Sequence, residues 1–194
     1  MEDQNSNRPL YDYTSKLRLT LRAWPVITAA TVGLCYLTQT VAKWFGIELP
    51  DQANIELVKR YAGWNRTFIL LCAQVIILMP AIEELIFRYL LFKLPLRILH
   101  KRGGGTPPPQ TFILTSGRGR LAPVALAIGS SALFSAARYL AQPFPDSAFI
   151  ALFFFGLAQC WLYKKTKRLW CAILNHALFN LTNLVLLFIL PEAG

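Results

Sequence analysis

The stretch from Phe68 to Leu99 is apolar almost throughout, yet in its middle, within MPAIEELIFRYLL, it carries two adjacent carboxylates, Glu83 and Glu84, and a guanidinium, Arg88. A charge at the centre of a membrane-spanning helix costs at least about 2.5–3.5 kcal/mol, so it persists where something compensates it. Glu84 and Arg88 stand four apart on one helix face, where they can pair, while Glu83 lies about 100° round the axis and is left free. A free glutamate facing a polar cavity inside a membrane is a candidate general base. On a soluble helix the same residues would form a solvated i,i+4 salt bridge, but the flanking ILLCAQVIILM and LLF leave little room for water.

The rest of the chain supports a membrane setting. Of its 194 residues 55% are hydrophobic and only 15% charged, where ordinary globular chains carry about a quarter charged residues. The apolar residues are concentrated in blocks of spanning length. The sequence therefore predicts an all-α fold, a polytopic transmembrane helical bundle of about five spans with a proline-broken second span. It divides into a basic cytoplasmic tail over 1–22 and a single membrane-embedded domain over 23–194.

The net charge of +10 could suggest nucleic acid, but its placement argues otherwise. The basic residues flank the apolar blocks, as in Lys93, Arg97, Lys101 and Arg102, or Lys164, Lys165, Lys167 and Arg168. That is the distribution of charges retained on the cytoplasmic side. The expected surroundings are thus a lipid bilayer, with no nucleic-acid partner. Cys35, Cys72, Cys160 and Cys171 each sit in an apolar block at no metal-binding spacing and read as small apolar residues. No small-residue cleavage site follows the first apolar block, which reads as a signal anchor.

Taken in order, residues 1–22 read as a mobile tail ending in an interfacial segment. The first span runs from Trp24 to about Phe45, with Trp24 and Trp44 about 30 Å apart along a helix, the hydrocarbon thickness. Residues 46–66 turn polar, and Asp51 could cap a short amphipathic helix bearing Ile55, Val58 and Ala62 on the outer interface. The block 67–99 would extend about 50 Å as a helix, too long for one straight crossing, and Pro80 removes a rung of its hydrogen-bond ladder. A kink or break at Pro80 is expected, with a polar site beyond it, because freed backbone groups in a membrane need partners. The loop 100–120 is rich in Gly, Pro and basic residues, and His100 within it reads as solvated. Spans follow from Ala122 to about Leu140, Ser147 to Tyr163, and Leu169 to Leu190. With the tail inside, the basic loops place 93–121 and 164–168 inside, and 46–66, 141–147 and the C terminus outside.

Three spans carry polar side chains at helical spacing: Glu83, Glu84 and Arg88; Ser131, Ser135 and Arg138; His176, Asn180 and Asn183. Each set alone could serve only to join helices by hydrogen bonds. Together they supply a base and several donors to one small bundle.

PAIEELIFRYLL resembles the first motif, Glu-Glu-x-x-x-Arg, of the CAAX prenyl protease and bacteriocin-processing (CPBP, or Abi) family of intramembrane endopeptidases. FFFGLAQCWLYKKTKRLWCAILNHALFN is similar to the family's Gly-containing helix, basic turn and His-x-x-x-Asn helix, here His176 and Asn180, and SSALFSAARYL lines up with its Phe-x-x-x-His motif. The resemblance covers about Leu70 to Val185. It implies an intramembrane endopeptidase that hydrolyses a membrane-associated or prenylated peptide with glutamate-activated water. Glu83 would activate the water, Glu84 would assist or pair with Arg88, and His176 and Asn180 would hold the substrate carbonyl and its oxyanion. Phe134 matches its motif, but Arg138 stands where the family has histidine, and Tyr89 where a glycine usually follows the motif arginine.

A guanidinium has five donors and no acceptor, so Arg138 cannot ligate a metal. A zinc site would then need both glutamates beside His176. The cofactor is left open, with a metal-independent mechanism favoured. Arg138 could serve as a charged oxyanion donor, such a donor being worth about 10²–10³ in rate. If it came within about 4–6 Å of Glu83 it would instead make that carboxylate a poorer base. The readings that compete with a protease are a catalytically impaired scaffold sealed by a Glu83–Arg138 ion pair, and a small transporter, for which no internal repeat is visible.

Overall fold

A computed structural model describes residues 8–47, 62–63, 65–102, 117–141 and 146–189. Among them are five helices and no strand: α1 (Arg8–Trp44), α2 (66–102), α3 (Gly117–Ala141), α4 (Asp146–Thr166) and α5 (Leu169–Ile189). The all-α bundle predicted from sequence is therefore what forms. Four stretches, Asp12–Trp44, Arg66–Leu99, Leu121–Leu140 and Leu169–Ile189, are long and apolar enough to cross a membrane. The expected amphipathic helix at Asp51 and most of the loop after His100 lie outside the described residues.

The bundle is apolar outside and polar inside. Large apolar side chains such as Tyr36, Leu70, Ile77, Leu133 and Phe188 are exposed on its faces, while Thr20, Glu84, Arg88, Ser135, Gln159 and His176 are buried. In water that arrangement would be unfavourable on both counts. In lipid the outer side chains meet hydrocarbon, and the inner ones must satisfy each other. The chain is an integral membrane protein.

Helix α4 is the inner helix, with α1, α3 and α5 packed against it. Its glycine lets α3 approach closely, since a Cβ at Gly156 would lie 2.9 Å from Ser131 Cβ and 3.1 Å from Ser131 Cα. The apolar core beside this contact is built from Phe87, Phe134, Phe155, Leu162 and Phe179. One polar pair crosses from α4 to α5, Gln159 Nε2 donating to Asn175 Oδ1 at 3.0 Å. The tight α4–α5 turn is closed by Lys167, at φ 57°, whose amide donates to Tyr163 O at 2.8 Å.

Two sequence expectations differ from the structure. Residues 8–22 are not a loose tail but the first turns of α1, which continues through Pro25 without interruption. Thr20, Ala23, Ile27 and Thr31 form the buried stripe of that helix, and Tyr13 stacks on Trp170 of α5 with ring centroids 4.8 Å apart. The stripe is hard to see because Arg18 and Arg22, on the exposed side, make the segment look uniformly polar.

The second concerns Pro80. No break occurs: α2 runs through as Arg66–Ala73, a π-helical Gln74–Leu78, an α-helical Met79–Glu84, a π-helical Leu85–Lys93, and Leu94–Arg102. A wider turn ahead of the proline gives the ring room and avoids its clash with the preceding carbonyl, so the helix absorbs it without separating. Each π segment has a carbonyl bonded from a neighbouring helix. Val75 O accepts from Asn180 Nδ2 at 2.8 Å, and Phe87 O accepts from Ser130 Oγ at 2.6 Å.

Candidate active site

Glu83 and Glu84 end the short α-helical segment between the two π turns, and both face the bundle interior. Arg88 follows one turn later. The i,i+4 pair predicted from sequence forms, with Arg88 Nε 3.0 Å from Glu84 Oε2 and both side chains wholly buried. The guanidinium also lies over the Phe134 ring, 5.1 Å from its centroid. Phe134 comes from α3, so the motif phenylalanine braces the motif arginine.

Helix α5 enters from the opposite side. His176 is buried between the rings of Phe155 and Phe134, at centroid distances of 5.0 and 5.9 Å. Its Nδ1 lies 2.9 Å from Glu84 Oε1. With Glu84 ionised beside Arg88, Nδ1 carries the proton and donates it, which fixes the ring and turns Nε2 toward Glu83. His176 Nε2 and Glu83 Oε2 are 3.6 Å apart. That is too long for a hydrogen bond, and among the described residues neither atom has another hydrogen-bond partner.

Glu83 is not the free carboxylate that helix geometry on α2 alone suggests. Arg138 Nε, from α3, lies 3.3 Å from Glu83 Oε1. The cluster thus holds two carboxylates, two guanidiniums and an imidazole. The two ends of the cluster differ in access. Glu84 and Arg88 are sealed, whereas the Arg138 side chain is 28% exposed and Glu83 lies beside it.

The structure brings together five of the six residues singled out in the sequence: Glu83, Glu84, Arg88, Arg138 and His176. Asn180 is one turn from His176, but its amide is engaged with Val75 O. Of the α3 stripe, Ser135 donates instead to Phe149 O of α4 at 2.7 Å, and Ser131 faces Gly156. Tyr89 lies under the Lys93 ammonium, 4.7 Å from its ring centroid. Sequence reasoning missed Ser130, whose only signal is its place beside Ser131, and Phe155, an unremarked member of an apolar run.

Among the described residues no three His, Cys, Asp or Glu side chains are placed to hold a metal ion. The donor set explains why the cluster fits a cation poorly. Glu84 is taken up by Arg88 and His176, and Glu83 shares its charge with Arg138.

A family model described as type II CAAX prenyl endopeptidase Rce1-like matches residues 65–182. The chain belongs to this family. The matched stretch is more than half of the chain and takes in α2, α3, α4 and the part of α5 that carries His176 and Asn180. Helix α1 precedes it. No curated protein and no solved structure matches the chain. Membership of this Rce1-like family agrees with the resemblance drawn from the three motifs, and it puts the cluster in a family of membrane proteases.

Proposed function

We propose that the protein is an intramembrane endopeptidase in which Glu83 activates water for attack on a peptide carbonyl. The observation that carries this reading is the facing pair Glu83 Oε2 and His176 Nε2, 3.6 Å apart with no other hydrogen-bond partner among the described residues. One water within hydrogen-bond reach of both would be held and polarised between these two buried atoms, entering past the partly exposed Arg138. Glu83 takes a proton from it as the oxygen bonds to the carbonyl carbon. The same proton is then delivered to the leaving amine as the carbon–nitrogen bond breaks, which regenerates the carboxylate.

The neighbouring groups have distinct parts in this scheme. Glu84 and Arg88 are positioning residues: Glu84 orients His176 and Arg88 holds Glu84. Arg138 supplies positive charge where the carbonyl oxygen becomes an oxyanion, a part that requires no metal ion. The substrate is a membrane-associated or prenylated peptide, reached from the bilayer. The basic clusters put the N terminus on the cytoplasmic side.

A second reading is favoured by one contact, Arg138 Nε to Glu83 Oε1 at 3.3 Å. In it the ion pair closes the site, and the bundle is a membrane scaffold or peptide-binding protein. Cleavage assays on a panel of farnesylated and unmodified C-terminal peptides separate the two. Cleavage by the purified protein supports the endopeptidase and identifies the peptide class. No cleavage by a folded protein, with activity appearing in R138H, supports the sealed site.

A further inference from the structure

Pro80 creates a local deficit in α2 that a residue on α5 fills. At the end of the π segment Gln74–Leu78 the backbone bond spans five residues, Met79 N–H donating to Gln74 O. The next amide in that register belongs to position 80 and would donate to Val75 O. Proline has no N–H. Asn180 Nδ2 donates to Val75 O at 2.8 Å instead. The acceptor is a carbonyl, so only the amide nitrogen of Asn180 can face it. Pro80 is wholly buried and Asn180 is 7% exposed, so water cannot easily replace that donor.

We propose that Asn180 is a positioning residue that stands in for the missing amide of Pro80 and thereby fixes the turn from which Glu83 and Glu84 project. Helix α5 then grips α2 through two residues that are one turn apart on α5. His176 holds Glu84 directly, and Asn180 holds the Val75 carbonyl, nine residues ahead of Glu84. With both grips in place, Glu83 Oε2 is set opposite His176 Nε2. The catalytic half of this inference rests on the reading of Glu83 as the base, whereas the link between Asn180 and Pro80 does not.

A double-mutant cycle tests it, using the full-length protein in detergent as wild type, P80A, N180L and P80A/N180L. Leucine keeps the branching of asparagine and removes the donor, its larger volume being common to both backgrounds, while P80A restores the N–H that Val75 O would accept. In the Pro80 protein, N180L is expected to lower the unfolding temperature by about 2–8 °C. In the P80A background the same substitution is expected to lower it by less than half as much. Should N180L fail to fold alone, recovery of folded P80A/N180L is the same result. Equal losses in both backgrounds would overturn the inference.

Cleavage kinetics test the catalytic half. N180L is expected to lower kcat about tenfold or more with KM little changed, through misplacement of Glu83, and P80A/N180L to recover most of it. Recovery of stability without recovery of kcat would show that Asn180 acts on the substrate, against a positioning role. Should no variant and no wild type cleave any peptide, the reading of Glu83 as base fails separately, and the thermal cycle still decides the link between Asn180 and Pro80.

Discussion

Arg138 Nε lies 3.3 Å from Glu83 Oε1, across the interface between α3 and α2. The residue that occupies the family's histidine position is therefore in direct contact with the carboxylate in the role of base, and its effect on the rate can take either sign. As an oxyanion donor it accelerates cleavage. As the partner of a closed ion pair it suppresses it. The partial exposure of Arg138 favours the first, since the guanidinium is not locked in the interior and can reach a substrate carbonyl while it stays beside Glu83.

R138Q separates these effects, because glutamine keeps hydrogen-bonding capacity and loses the charge. It is expected to slow peptide cleavage by about 10²–10³-fold, the range for loss of one strong oxyanion donor. An unchanged or faster rate would mean that the guanidinium only keeps Glu83 from water.

The sealed end of the cluster makes a stability prediction. Arg88 and Glu84 are wholly buried, and removing one partner of such a pair leaves an uncompensated charge, at about 3–5 kcal/mol. R88M is expected to destabilise the protein by that order in thermal unfolding, and E84Q/R88M by clearly less. Equal losses in both would show that the charge pair is not what matters at Arg88.

Gly156 is where α3 and α4 come closest. A methyl group there would meet Ser131 Cβ, Oγ and Cα at 2.9, 3.0 and 3.1 Å, so backbone must shift. G156A is expected to cost about 1–3 kcal/mol of stability. The shift would also move α3, which carries Arg138, so cleavage should fall along with the unfolding temperature. A G156A protein as stable and active as wild type would mean that the helices adjust freely at this contact.

What the sequence revealed depended on whether the interaction lay within one helix. The Glu84–Arg88 pair could be derived from spacing alone, and the bundle from blocks of spanning length, because both are local properties. The contact of Glu83 with Arg138 could not be read from spacing, since Arg138 is on another helix whose packing no periodicity specifies, and it entered only as one of the competing readings that the family motif raised. Pro80 is the same case. A proline in an isolated helix breaks its ladder, but here widened turns and a donor from α5 compensate it. The first turns of α1 went unrecognised because exposed Arg18 and Arg22 mask a buried stripe that only the neighbouring helices define.

The most direct measurement is the rate of peptide cleavage by purified wild-type protein and by E83Q, side by side in detergent, with unfolding temperatures recorded for both. Glutamine preserves the shape of Glu83 and removes its basicity. Cleavage by the wild type, lost in an E83Q protein that remains folded, is the predicted result. Cleavage that persists in E83Q at the wild-type rate would contradict Glu83 as the base that activates water.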